Sequence, residues 1–317
     1  MQRYLLRRIL LLVPTLLGVS IIVFALVRFV PGDTVAIIAG ERGFSSPEVE
    51  EAVRRDLGLD EPAWQQYFDW LGGVLRGDLG ESLIFDGVTV NDELGDRLPV
   101  TIQMALMAMV IGLLVAIPVG IISAIRQDTI LDYATRSVGI GFIAIPTFWL
   151  GTLVMVIPPA LWGWAPPARY FDLWDRPLDN LELMIIPSAL LGVALSGTVM
   201  RLVRAQMLEV MRQDYIRTAW SKGLRERTVI TRHAIRNAFI PVITLIGLQV
   251  PVLIGGTVVL ENIFSVPGVG RYLVFAIQQH DYPVVQGVNL LIALIVVVTN
   301  LVVDMTYGIL DPRVRYS

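Results

Sequence analysis

Six long stretches of this chain carry no charged side chain, and nothing else constrains its fold as much. They cover Ile9–Val27, Leu98–Ile125, Ser137–Ala168, Leu183–Met200, Asn237–Leu260 and Tyr282–Val303. A helix needs about 20 apolar residues to cross the hydrocarbon of a bilayer. Inside lipid, a helix satisfies its backbone polar groups without outside help. A hydrophobic content of 55% with only 17% charged residues, those gathered between the runs, excludes an ordinary soluble domain. The fold class read from this pattern is an all-α membrane protein with six transmembrane helices. The third run contains Pro158-Pro159 and Pro166-Pro167, so its helix is expected to end near Pro158 and a loop to follow.

The first run follows Arg3, Arg7 and Arg8 and resembles a secretory leader. It is longer than a leader's apolar core, however, and it ends at Arg28 and Pro31-Gly32-Asp33 without a small-x-small cleavage site. It reads as a retained first span.

The loops set the direction of insertion. Arg3, Arg7 and Arg8 precede span one, Arg126 and Arg136 lie between spans two and three, and Arg313 and Arg315 lie in the tail. The segment from Arg201 to Arg236 holds nine basic residues against three acids. Basic residues gather on the cytoplasmic side, so both termini are expected there. The organisation read from the chain is a first transmembrane helix at 1–30, an extracytoplasmic subdomain at 31–97 and a five-helix core at 98–317 with a cytoplasmic loop at 201–237. The outside segment holds fifteen acids and five basic residues. Within it, Ser46-Pro47-Glu48 reads as a helix start, with Val49, Val53 and Leu57 on one face before Gly58. A second short helix is expected around Trp64, Tyr67, Phe68 and Leu71.

The loop from Glu209 to Pro241 is neither polar coil nor apolar span. Tyr215 and Ala219, then Val229, Ile230, Ala234 and Ile235, predict two short helices with basic faces. Gly223 sits between them, where a left-handed residue ends a helix. Two occupants fit such a hairpin: anionic lipid, on which basic helices commonly lie, and the groove of a partner protein.

The chain lacks cysteine, which excludes disulfides and thiolate chemistry. It lacks a G-x-x-x-x-G-K-[ST] phosphate loop, and no H-E-x-x-H or G-x-S-x-G is present, so neither ATP binding by that route nor hydrolase chemistry is expected. His233 and His280 stand apart and predict no metal site. Polar groups within spans are costly in lipid, so Gln103, Ser196, Thr198, Gln249, Asn289 and Asn300 are candidates to line a path or to bond helix to helix. Arg28 and Asp304, near span ends, are expected to reach the interfaces. Pro118, Pro146 and Pro251 mark kinks. A secondary transporter, the alternative from another class, would need ionisable groups deep in the spans, and none lies at a span centre.

DYIRTAWSKGL, followed by RHAIRNAFIP, resembles the cytoplasmic coupling loop of binding-protein-dependent ABC importer permeases. The similarity is to the first, B-type permease subunit of the dipeptide and oligopeptide group. RRILLLVPTLLGVSIIVFALVRFVPGD, GDLGESL, RLPVTIQMAL, IPTFWLG and ENIFSVPGVGRYLVFAIQQHDYPVVQG resemble further segments of that subunit, in order along nearly the whole chain. The general motif of the family begins Glu-Ala-Ala, followed by three residues and then a glycine. Arg217-Thr218-Ala219 stand here instead, with Gly223 kept.

The resemblance implies a type I ABC importer permease fold in the cytoplasmic (inner) membrane. It implies half of a translocation path for di- or oligopeptides, with nickel complexes, glutathione or oligosaccharides as alternative cargo on the same architecture. The partners implied are a second homologous permease, two ABC ATPase domains, an extracytoplasmic solute-binding protein and the lipid bilayer, with no nucleic acid. Such a subunit is not an enzyme, has no catalytic residue and holds no cofactor; ATP and Mg2+ belong to the partner ATPases. The residues that the resemblance assigns to the ATPase-coupling loop are Asp214, Tyr215, Arg217, Thr218, Ala219, Lys222, Gly223, Leu224 and Arg225. Because position 217 is not acidic, the expectation rests on the hairpin's shape.

Overall fold

A computed structural model describes residues 2–29, 35, 51, 54, 55 and 60–310. The helix expected to begin at Ser46-Pro47-Glu48, the side chain of Asp304 and the tail arginines Arg313 and Arg315 lie outside the described residues. Helices account for the secondary structure described, apart from one isolated bridge between Glu81 and Thr89. They are α1 (Gln2–Phe29), α2 (Ala63–Leu75), α3 (Val90–Ile125), α4 (Ile130–Ala144), α5 (Thr147–Trp162), α6 (Pro177–Met211), α7 (Asp214–Ser221), α8 (Glu226–Ile263), α9 (Val269–Gln278) and α10 (Tyr282–Leu310). α1, α3, α6, α8 and α10 are long and apolar enough to cross a membrane. α4 and α5 together make a sixth candidate, bent by 86°.

That bend corrects the expectation for the third span. Pro146 is more than a kink: Ile145 takes an extended conformation, as residues before proline do, and the helix restarts at Thr147. The amides of Trp149 and Leu150 bond the Pro146 carbonyl at 3.1 and 3.2 Å, which satisfies the new helix start. Nor does α5 end near Pro158. It runs through Pro158 and Pro159 to Trp162 and stops where Gly163 turns left-handed at φ 65°, its N–H on the Pro159 carbonyl at 3.1 Å. Proline removes a donor but does not force a helix to stop, whereas a left-handed residue does.

The chain divides into two compact units. The first comprises Ile102–Val266 and Val298–Ser317 with Met1. Its helices meet at glycines. A Cβ built on Gly192 of α6 would stand 2.6 Å from the Ala108 carbonyl oxygen of α3, and one on Gly112 would stand 2.7 Å from the Gly192 oxygen. Between α6 and α4, a Cβ on Gly197 would lie 2.7 Å from the Gly139 oxygen. Small residues let helix backbones approach closely where lipid supplies no hydrophobic drive between helices.

The second unit comprises Gln2–Thr101 and Pro267–Val297. Its core is Val27, Val90, Leu94, Val269, Tyr272, Ala276, Val284, Val285 and Val288. The buried Asp281 carboxylate accepts hydrogen bonds from Ser82 Oγ at 2.5 Å and the Leu83 amide at 3.2 Å. Burial pushes this carboxyl above the usual carboxylate range, against the lowering effect of those bonds. Arg97 lies 4.5 Å over the Tyr272 ring. Burial, then the nearby Glu93 and Asp281, push the Tyr272 phenol up to about 12. α2 contains the expected Trp64, Tyr67, Phe68 and Leu71. Tyr67 packs edge-on against Phe24 of α1, and its hydroxyl pairs with Ser20 Oγ at 2.9 Å, while Trp64 and Phe68 are exposed. Arg28 lies 3.6 Å over the Phe24 ring and bonds the Gln66 side chain.

A methyl group at Gly192 has no room, so Gly192→Ala is expected to cost about 1–3 kcal/mol. A Cβ on Gly141, in contrast, meets nothing within 4 Å. Thermal unfolding of the purified protein in detergent should therefore show a lowered midpoint for Gly192→Ala and little change for Gly141→Ala.

Candidate functional site

The connection after α6 is shorter than the sequence implied. α6 continues through Arg201 and Arg204 to Met211, so those two arginines belong to a helix and not to a loop. A turn at Arg212 and Gln213 leads into α7. The amides of Ile216 and Arg217 bond the Gln213 carbonyl at 3.0 and 3.3 Å, and Asp214 places an acid in the first turn, where the helix dipole favours it.

α7 ends as its sequence requires. Gly223 has φ 76°, its amide bonds the Trp220 carbonyl at 2.9 Å, and the Leu224 amide bonds the Ala219 carbonyl at 3.4 Å. These two bonds make a Schellman turn, which needs a left-handed residue at the position of Gly223. The second short helix is not separate. From Glu226 the chain rises directly into the long apolar helix α8, through a π-helical turn at Val229–Ala234.

One face of α7 is seated and the other is free. Ile216 and Ala219 are buried, as are Val229, Ile230 and Ala234 of the π-helical turn on which α7 packs. Ala219 therefore faces inward. Asn237 Nδ2 donates to the Tyr215 hydroxyl at 2.9 Å and to the His233 carbonyl at 3.1 Å, which ties α7 to the base of α8. The exposed face carries Asp214, Tyr215, Arg217, Thr218, Lys222, Gly223, Leu224 and Arg225, with Trp220 beside them at 42% exposure. Arg217 and Asp214 pair at 3.5 Å on the surface, and a pair so exposed adds little stability. Aromatic and aliphatic groups ringed by cations suit a partner's groove.

The polar groups expected along a path have varied roles. Gln103 donates to Asn180 Oδ1 at 2.5 Å, and Asn180 in turn donates to the Phe171 carbonyl at 2.8 Å, which anchors the segment before α6. Ser196 and Asn289 bond carbonyls of their own helices, Val193 at 2.7 Å and Val285 at 2.8 Å. Thr198 and Gln249 are half-buried and Asn300 is exposed.

One cluster escaped the sequence reading. Asp132, fully buried near the start of α4, receives Arg204 of α6 through two bonds, Nε to Oδ1 at 2.8 Å and Nη2 to Oδ2 at 2.7 Å. Ser123 Oγ donates to Oδ1 at 2.6 Å and the Asp128 amide to Oδ2 at 3.1 Å. The signal was present in Thr129-x-x-Asp132, a helix-start pattern, and the Thr129 hydroxyl does accept from the Asp132 amide. Removing one partner of such a buried pair costs about 3–5 kcal/mol.

Two family descriptions match this chain. Residues 116–316 match the binding-protein-dependent transport system inner membrane component, and residues 1–105 match the N-terminal part of the membrane component of such systems. The chain belongs to this family. It is thus a permease component of ABC-type transport, the family that its loop motif suggested. It is 39% identical to the dipeptide transport system permease protein DppB of Escherichia coli (strain K12), all of both chains being covered. It is 42% identical, again over all of both chains, to a putative peptide transport system permease protein of Brucella abortus (strain 2308). With the di/tripeptide transport system permease protein DppB of Pseudomonas aeruginosa (strain UCBPP-PA14) it shares 39% identity over the full length of both. A solved amino acid ABC transporter covers 70% of this chain and 94% of its own at 15% identity, with a TM-score of 0.49, too low to bear on the fold.

Gly223→Val places a β-branched residue at φ 76°, where a left-handed conformation costs about 1–2 kcal/mol. Amide hydrogen exchange in α7 is expected to speed up in this permease variant. Gly223→Asn, which tolerates that conformation, should keep most of the protection.

Proposed function

We propose that this permease forms half of the translocation path of an ATP-driven importer for di- or oligopeptides, and that α7 with its Schellman turn docks into a partner ATPase. The observation that carries the reading is the full-length similarity to permeases named for dipeptide and peptide transport. The exposed face of α7 and of the turn after it, with Tyr215, Arg217, Trp220, Lys222, Leu224 and Arg225, supports the docking role. A second, homologous permease completes the path. A solute-binding protein delivers the peptide from outside, and ATP and Mg2+ bind in the two ATPase domains. The basic residues Arg3, Arg7 and Arg8 at the start of α1, Arg126 in the turn between α3 and α4, and those around α7 support the reading that both termini and the hairpin lie in the cytoplasm. α7 is tethered at both ends to long apolar helices, so ATPase closure against it moves α6 and α8 and switches the side to which the path opens.

The test is uptake of labelled dipeptide into proteoliposomes holding the complete transporter. Wild type should accumulate peptide only with ATP and binding protein, and this chain alone should accumulate none. Gly223→Val should sharply reduce uptake while the spans stay inserted. Uptake by the isolated chain would overturn the subunit role, and normal ATP-driven uptake by Gly223→Val would overturn the role of the hairpin.

Because the chain lacks cysteine, single replacements report topology directly. Ser221→Cys should react with an impermeant maleimide only in inside-out vesicles. Trp174→Cys, at a position 89% exposed between α5 and α6, should react in intact cells.

A further inference from the structure

The third span is attached differently at its two ends. Its first half, α4, is about 22 Å long at 1.5 Å per residue and is locked to α6. At its start the Asp132 carboxylate takes four donors: two from Arg204 on α6, one from Ser123 at the end of α3, and one from the Asp128 amide in the turn between α3 and α4. Asp128 itself is left-handed at φ 61°, so the carboxylate also fixes the shape of that turn. Farther along, a Cβ on Gly197 of α6 would stand 2.7 Å from the Gly139 oxygen of α4 and 2.8 Å from Ile143, so the two helices touch along their length.

The second half, α5, has no ion pair to α6 among the described residues, though it touches that helix. It rests on the far end of α8, where a Cβ on Gly151 would meet Leu260, Ile263 and Phe264 at 3.2–3.4 Å. Between the halves lies the non-helical step at Ile145 and Pro146, which carries the 86° bend. α6 in turn is the stem of the coupling helix, reached from it through Arg212 and Gln213.

A buried ion pair is seldom the cheapest way to hold helices together, since well-packed apolar residues of similar volume often hold them as firmly. A bidentate guanidinium–carboxylate pair does what packing does not: it fixes direction and register between the groups it joins. Here it joins the ends of two spans to the stem that the ATPase would move.

We propose that Asp132, through Arg204, is a positioning residue of the transport cycle. It makes α4 travel with the coupling-helix stem, so that the motion is taken up at the Ile145–Pro146 step, where α4 swings relative to α5. The proposal rests on the reading that α7 docks an ATPase.

The test uses the complete transporter in proteoliposomes and removes both charges together with Asp132→Asn/Arg204→Met, so that no lone buried charge remains. ATP hydrolysis is expected to stay within about twofold of wild type while peptide uptake falls about tenfold or more, the size of an ordinary coupling energy. The number of ATP molecules spent per peptide therefore rises. A purely structural pair would lower both rates together or neither, and either result overturns the proposal.

A second measurement leaves the pair intact and stands whether or not that variant assembles. Spin labels on exposed positions report the distance across α4 and α6 (Val138→Cys with Arg201→Cys) and the distance across the bend (Val138→Cys with Val156→Cys). Between the nucleotide-free and vanadate-trapped states the first distance should hold and the second should shift. A shifting first distance, or a fixed second one, overturns the proposal. If the wild-type complex imports no peptide with ATP, the earlier reading fails instead.

Discussion

Backbone polarity governs this chain. Within hydrocarbon no water is available to an amide or carbonyl, and each unsatisfied group costs several kcal/mol. Every departure from the helix must therefore supply its own hydrogen bonds. The step at Ile145–Pro146 uses a residue that has no amide proton to lose and a carbonyl that accepts from two amides of the next helix. The end of α5 uses Gly163, with its amide bonded to a preceding carbonyl; the turn after α7, at the exposed hairpin, closes in the same way at Gly223. Once those breaks are placed, the lengths of the remaining elements follow, and close packing at glycines sets how α3, α4 and α6 meet.

Charge obeys a parallel rule. A carboxylate withdrawn from water must find donors. Asp132 finds a guanidinium, a hydroxyl and an amide, while Asp281 finds the Ser82 hydroxyl and the Leu83 amide. The two sites are correspondingly unlike. The first ties separate helices to one another, and the second closes a loop onto the helix turn beneath it.

Much of this was legible in the sequence. The uncharged runs located every long apolar helix, because lipid rewards an unbroken apolar surface, and the left-handed turn at Gly223 was readable because few residues other than glycine settle there. Three features were not. Pro158-Pro159 looked like a stop, yet the residue that ends the helix is Gly163; a proline pair lacks two donors but leaves the helical path open. Arg204 looked like a loop cation because a charge in a helix stem and a charge in a loop read alike until the partner is known, and Asp132 is far from it in sequence. The second helix of the hairpin looked independent because the π-helical turn spoils the 3.6-residue rhythm at the point where continuity would have shown.

That same turn phases two surfaces of one helix. A π-helical turn widens the winding by about one residue, which is worth about 100° of rotation around the axis. Residues before Val229, such as Glu226 and Arg227, are thus rotated relative to the apolar face that starts beyond Ile235, although both belong to α8. Deleting a single residue within Val229–Ala234 would restore the ordinary winding and turn the hairpin around the helix axis while leaving the lipid-facing stripe as it was. Length at this point therefore acts as an angular setting, through which a lineage of such proteins can re-aim its cytoplasmic contact without redesigning the membrane-embedded part.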